Sequence, residues 1–182
     1  MTDKMKERKL LFEVRTKKDK QAFGKLYDLY VEKIYRFVYF KTSNKEDSED
    51  LTSEVFLKTW NYLMENTETE ILSFSGLIYR ITRNGIIDHY RKKAKSKEVS
   101  LENVVELVSD NLLQERVGDK YDVEKLMLLI KKLKQDYQEV LILKYIEELS
   151  IAEIAVIMGK SNVSVRVTLH RAVNKLKEFS EA

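Results

Sequence analysis

The chain has no cysteine and no proline, and only five glycines, two histidines and one tryptophan in 182 residues. Without cysteine there is no disulfide framework and no thiolate metal site, which is compatible with a reducing compartment. Without proline, and with so few glycines, little interrupts a helix, and the leucine, lysine, glutamate and isoleucine content reads as mostly helical. The histidines, His89 and His170, are far apart and lack ligand spacing, so no metal site is expected. No glycine-rich phosphate loop and no paired acid–base carboxylate motif appears, so no catalytic residue, small-molecule substrate or cofactor is assigned. The longest apolar runs, Leu126–Ile130 and Val140–Leu143, are far too short to span a bilayer. The opening segment, MTDKMKERKLLFEV, has neither the apolar core nor the small-residue cleavage site of a signal peptide.

What is present is charge, and its distribution is more informative than its sum. Charged residues make up 35% of the chain and apolar ones 43%, yet the net charge is only +3. Residues 46–54 carry Glu46, Asp47, Glu49, Asp50 and Glu54 with no base, whereas residues 80–97 carry seven bases against Asp88 alone. A second basic stretch, residues 160–177, has five bases and no acid. Two basic patches in different halves and one acidic patch suit a protein that meets a polyanion twice and a basic partner once. The plainer alternative is three solvated helix faces.

Helical periodicity divides the chain. Residues 20–41 place Phe23, Leu26, Tyr27, Tyr30, Ile34, Phe37 and Val38 on one face. Residues 46–64 form a second helix after a polar break at 41–45. A third, capped by Ser73 or Ser75, runs to about Lys93 with Leu77, Ile78, Ile81 and Ile86 inward. Residues 95–121 lose the long amphipathic period and read as a flexible linker. From about Asp122, VEKLMLLIKKL is a helix, and Asp136 with Glu139 makes a capping-box-like start for the next. The expected fold is all-α: two small helical domains, 1–94 and 122–182, joined by a flexible linker, the C-terminal one containing a helix-turn-helix.

That motif lies in SIAEIAVIMGKSNVSVRVTLHRAVNKLK, residues 150–177. Ser150 and Glu153 form a Ser-x-x-Glu capping box, Gly159 can turn the chain, and Ser161 can cap the next helix. Val165, Leu169, Ala172, Val173 and Leu176 make an apolar stripe, leaving Asn162, Ser164, Arg166, His170 and Arg171 outward. Such a helix can enter a DNA major groove, or be half of an ordinary hairpin with a basic face. In FSGLIYRITRNGIIDHYRKK, arginines and lysines can neutralise phosphates, Asn84 can meet a base edge, and Tyr79 and Tyr90 offer stacking faces. Alternatively the tyrosines are core and Asn84 or Gly85 a local break. The acidic helix sets carboxylates beside Leu51, Phe56 and Trp60, an interface or a core stripe with acids at a helix N-terminus.

Four segments, in order, resemble those of bacterial extracytoplasmic-function sigma factors: AFGKLYDLY (22–30), SEDLTSEVFLKTW (48–60), GLIYRITRNGIIDHYRKK (76–93) and LSIAEIAVIMGKSNVSVRVTLHRA (149–172). The resemblance implies a cytoplasmic bacterial factor whose partners are core RNA polymerase, promoter DNA and an anti-sigma factor, with no membrane insertion. It implies that Tyr79, Arg80, Arg83, Asn84, Asp88, Arg91 and Lys92 meet the minus-10 element, Asn84 holding a flipped base. It assigns Asn162, Ser164, Arg166, His170, Arg171 and Lys175 to the minus-35 element, and Asp47, Glu49, Asp50, Leu51, Glu54 and Phe56 to the polymerase clamp. The linker would thread toward the active-site channel. The chain departs from the pattern at Ser53, Gly76 and Leu133-Lys134, and at Val167 and Thr168, where polar or basic residues are usual; the last two leave the minus-35 sequence open. A regulator that uses the hairpin without polymerase would leave the acidic and Asn84 helices unexplained. A helical adaptor predicts no steep salt dependence of DNA binding. An enzyme acting on nucleic acid lacks a catalytic group.

Overall fold

The computed structural model describes residues 3–71, 73–96 and 119–181, and among these every regular element is helical. The described residues up to Ser96 form one compact unit, and most of those from Asp119 on belong to a second. The expected linker lies, over 97–118, outside the described residues.

The first unit comprises α1 (Asp3–Lys17), α2 (Lys20–Thr42), α3 (Lys45–Glu65) and α4 (Phe74–Ser96). Short, capped connections force α2 and α3 to pack side by side. The Asp19 carboxylate accepts from the N–H groups of Gln21 (2.8 Å) and Ala22 (3.2 Å), closing the N-terminus of α2. Ser43 turns out of α2 in the left-handed region, φ 51°, and Asn44 Oδ1 accepts from Asp47 N–H (2.8 Å) to start α3. Leu26, Ile34, Val38, Val55, Leu63, Phe74 and Ile78 fill the core between them.

The sequence pattern does not single out α1, which nonetheless ties down the start of α4. Leu11 and Val14 are buried, and so is Glu7. Its carboxylate accepts from the Tyr30 hydroxyl and from the N–H groups of Phe74 (2.9 Å) and Ser75 (3.3 Å). Ser73 Oγ accepts from Gly76 N–H (3.0 Å), as the sequence led one to expect of a serine there. Together these satisfy N–H groups that have no partner inside the helix and set a negative charge at its positive end. Further along α1, Arg15 donates to the carbonyls of Thr67 (2.5 Å) and Thr69 (2.6 Å), holding the loop before α4. A Cβ on Gly76 would stand 3.0 Å from Ser73 Oγ, which gives this departure from the family pattern a local reason.

The second unit comprises α5 (Asp119–Lys131), α6 (Gln135–Leu141), a π-helical turn (Ile142–Ile146), α7 (Ile151–Met158) and α8 (Asn162–Glu181). The expected capping box at Asp136 and Glu139 does not form. Lys134 occupies the N-cap of α6 without a side-chain bond, Asp136 instead pairs with Lys160 from the α7–α8 turn, and Glu139 is buried. Gln138 Nε2 donates to the carbonyls of Lys131 (3.0 Å) and Leu133 (2.7 Å) and closes the end of α5. The single helix expected after residue 136 changes character at Ile142, where Glu147 N–H reaches back five residues to the Ile142 carbonyl (3.0 Å).

Candidate nucleic-acid and polymerase surfaces

The helix-turn-helix forms as its sequence predicts. Ser150 N–H and Oγ donate to the Glu153 carboxylate (2.9 and 2.6 Å), and Glu153 N–H returns a bond to Ser150 Oγ (3.2 Å). Gly159 takes φ 63°, and Lys160 N–H reaches the Ala155 carbonyl (2.9 Å), the six-to-one bond of a Schellman end. Ser161 Oγ then accepts from Ser164 N–H (3.2 Å) at the start of α8. Val165 and Ala172 are fully buried, while Leu169, Val173 and Leu176 are half-buried. This narrow stripe leaves Asn162, Ser164, Arg166, His170, Arg171 and Lys175 exposed. His170 bonds Asn174 (3.2 Å), one turn on, and Lys175 is held by Glu178 (2.7 Å). Among the described residues Arg166 and Arg171 have no ion-pair partner, so both can reach a phosphate or base edge without breaking a contact.

Helix α4 runs unbroken through Asn84 and Gly85. A Cβ at Gly85 would lie 3.9 Å from Val55, an ordinary contact, so this glycine marks helix packing and not a break. Asn84, Asp88, Arg91 and Lys92 are exposed. Arg80 lies over the Tyr62 ring (5.8 Å to its centroid), Arg91 pairs loosely with Asp88 (3.6 Å), and Arg83 is half-buried and engaged within the protein. Residues 80, 84, 88 and 91 share one stripe by helical spacing.

Tyr79 corrects the sequence expectation. It is fully buried, with its ring edge-on to Phe37 (5.5 Å), and offers no face to a base. The inward stripe of α4 is Ile78, Tyr79, Thr82 and Ile86, centred away from Ile81. Thr82 tolerates burial because its hydroxyl donates to the Ile78 carbonyl (2.7 Å). Tyr90 is exposed, but its hydroxyl donates to the Lys41 carbonyl (2.6 Å). Burial pushes that phenol's pKa up, and the charge on Asp47 adds to the rise.

The acidic helix divides in the same way. Leu51 and Phe56 are core side chains, Phe56 lying 4.6 Å from the Tyr27 ring, so neither is available to a partner. Aromatic and acidic residues adjacent in sequence here point to opposite sides of one helix. Asp47 is held by Lys93 (3.1 Å) and His89 Nε2 (3.4 Å) of α4, which pins α3 to α4. Glu49, Asp50 and Glu54 are exposed. The hydrogen bond from Lys58 (2.7 Å) holds the Glu54 carboxyl below its ordinary range. The sequence pattern does not pick out Leu57, which is exposed one turn from Glu54 and shares the outer face with Asp50. Its signal is available only in hindsight, as the one large apolar residue out of phase with the Leu51–Val55 stripe. Among the described residues no cluster of side chains could hold a metal ion, and no helix is long and apolar enough to cross a membrane.

Comparison with known proteins places both units. Residues 26–96 match the Sigma-70 region 2 family, and residues 123–176 match Sigma-70, region 4. The extracytoplasmic-function RNA polymerase sigma factor SigW of Bacillus subtilis is 30% identical over 171 residues, which cover 89% of this chain and 90% of SigW. BldN of Streptomyces coelicolor is 30% identical over 156 residues, 85% of this chain but 59% of BldN. The fold is that of CnrH, solved with the cytosolic domain of CnrY (TM-score 0.70, 20% identity, 97% of each chain covered). It is also that of RpoE, solved with the anti-sigma factor NepR from Bartonella quintana (TM-score 0.66, 20% identity, 88% of this chain and 97% of that one). With both region families matched in order and relatives of this extent, the chain belongs to the extracytoplasmic-function RNA polymerase sigma factors, which direct promoter-specific initiation of transcription.

Proposed function

We propose that this factor divides its work between its two units, in the bacterial cytoplasm and without chemistry of its own. Residues 1–94 bind core RNA polymerase through the outer face of α3, with Glu49, Asp50, Glu54 and Leu57, and read the minus-10 element through α4. Asn84 captures a base of the opened strand, flanked by Arg80, Asp88, Arg91 and Lys92. Removing a base from the stack costs a few kcal/mol, which an amide with both a donor and an acceptor can help repay on a helix held by a capped start and a buried inner face. Residues 122–182 read the minus-35 element through Asn162, Ser164, Arg166, His170 and Arg171, and 95–121 link the two. Binding one DNA at two places lets each contact be weak.

One observation carries the reading: Asn84 is exposed in mid-helix on an element fixed by a capped N-terminus and a fully buried face. An anti-sigma factor is the proposed inhibitory partner; support comes from the two similar structures, each solved with a bound partner. The test is transcription from promoter DNA by core polymerase with wild-type, Asn84→Ala or Arg166→Ala protein, alongside sedimentation with core. Asn84→Ala should retain core binding and lose strand opening, seen by permanganate reactivity of unpaired thymines. Arg166→Ala should lose promoter affinity and reduce its salt dependence. Unchanged opening with Asn84→Ala would remove the base-capture role.

A further inference from the structure

Two valines on the DNA-facing side of α8 stand out of the core. Val163 is 67% exposed and Val167 44% exposed, whereas Val165 between them is fully buried. Single exposed apolar residues are ordinary on protein surfaces. These two lie four residues apart on one face, within the first two turns, which is the part of a recognition helix that meets base edges. Around them Ser164, Arg166, His170 and Arg171 are exposed, and no acid occurs between Lys160 and Lys177. A surface that is cationic at its rim and apolar at its centre complements the major groove, where phosphates flank the one apolar group DNA presents, the C5 methyl of thymine. Valine is also stiff at χ1 and offers its methyls in a nearly fixed position.

We propose that Val163 and Val167 are specificity-determining residues that select thymine methyls in the minus-35 element. Their separation along the helix axis is about 6 Å, so the two thymines stand within about two base-pair steps of 3.4 Å on the duplex. The inference rests on the assignment of α8 to that element. It also gives a meaning to Val167, where the family pattern usually has a polar or basic side chain.

The test uses holoenzyme assembled from the full chain and core polymerase, on a promoter it transcribes. Each thymine of the minus-35 element, on either strand, is replaced by deoxyuridine, which removes only the methyl, and promoter affinity is measured by competition. Two positions should each lose about fourfold, the factor expected for one buried carbon group. The doubly substituted Val163→Ser, Val167→Ser protein should bind both duplexes alike at those positions. Both valines are exposed, so the variant removes nothing from the core; circular dichroism checks its helix content. If no replacement weakens the wild type, or if both proteins lose equally, the proposal is overturned while the minus-35 assignment stands. If affinity does not depend on the minus-35 sequence at all, that assignment fails first and the proposal with it.

Discussion

Helices α4 and α8 have similar lengths, 23 and 20 residues, and similar mixtures of amides, aliphatics and cations, yet the protein treats them differently. Helix α4 is a central support. Its inward stripe includes the fully buried Ile78 and Tyr79, its first N–H groups are taken by Glu7 and Ser73, and Asp47 grips its far end through His89 and Lys93. From Phe74 to Ile87 its one exposed residue is Asn84, and only from Tyr90 to Ala94 does it stand exposed all round. Helix α8 is the reverse, buried fully only at Val165 and Ala172 and exposed around most of its circumference. A base pulled out of a duplex needs a fixed receptor, because any motion of the receptor adds to an already unfavourable step. A helix that lies in an intact groove needs exposed area and accessible cations, and a small anchor is enough to aim it. On the proposed assignment, similar composition serves two recognition modes, and the difference lies in how much of each helix is buried.

The largest expected effect breaks that comparison at its centre. Tyr79→Ala removes a fully buried ring packed on Phe37 and should destabilise the first unit by about 3–5 kcal/mol, the usual range for aromatic truncation in a core. Trp60, the single tryptophan, lies in this unit beside Phe23 (5.1 Å), so its fluorescence in a denaturant titration reports the first unit alone. A loss under 1 kcal/mol would mean that Tyr79 is mobile enough to leave the core and would reopen its role as a stacking residue.

A smaller effect is expected from α1. Glu7→Ala removes the acceptor that takes the N–H groups of Phe74 and Ser75 and the Tyr30 hydroxyl, at a cost of about 1–3 kcal/mol in the same titration. Glu7→Gln keeps an acceptor at that place and should lose less. An equal loss from both would put the contribution in the carboxylate's charge at the start of α4 rather than in its hydrogen bonds.

Most of this architecture was legible because it is local. Helices α2 and α3, the Ser150–Glu153 box, the Gly159 turn and the Ser161 cap all follow from residues a few positions apart. What escaped was non-local. The inward face of α1 is anchored by a glutamate whose acceptor role depends on a backbone 67 residues later, so apolar periodicity undercounts it. The box expected at Asp136 does not form because α6 starts earlier, with Lys134 at the N-cap, which puts Asp136 inside the first turn, where its carboxylate pairs with Lys160, 24 residues on. Phe56 and Leu51 looked like interface residues because they neighbour acids in sequence, and helical geometry sends them to the other side. Among the candidate site residues of α4 and α8, the polar and cationic ones stand exposed except Arg80 and Arg83, which are half-buried, whereas Tyr79, Leu51 and Phe56 are core side chains. Charge is costly to bury without partners, so its position can mostly be read from sequence, Glu7 being an exception that its hydrogen bonds permit; an apolar side chain is at home on either side of a helix, and only packing decides.

The smallest effect distinguishes the two units by sign. Gly159 and Gly24 both have open space where a Cβ would go, so substitution at either tests the backbone alone. At Gly159, φ 63°, alanine must take up the left-handed region and should cost the second unit about 1–2 kcal/mol. At Gly24, inside α2, alanine keeps helical dihedrals and reduces the freedom of the unfolded chain, so it should stabilise the first unit by about 0.4–1 kcal/mol. Amide hydrogen exchange resolves the two units in one experiment: Gly159→Ala should speed exchange in α7 and α8 and leave α2 to α4 unchanged, and Gly24→Ala should slow exchange in α2. The Gly159 effect should also reach function, since the turn sets the angle at which α8 leaves α7. Weaker promoter binding with unchanged core binding is the expected pattern. Slower exchange in α8 after Gly159→Ala would show that the turn does not need its left-handed residue, and that the anchor at Val165 and Ala172 aims the helix by itself.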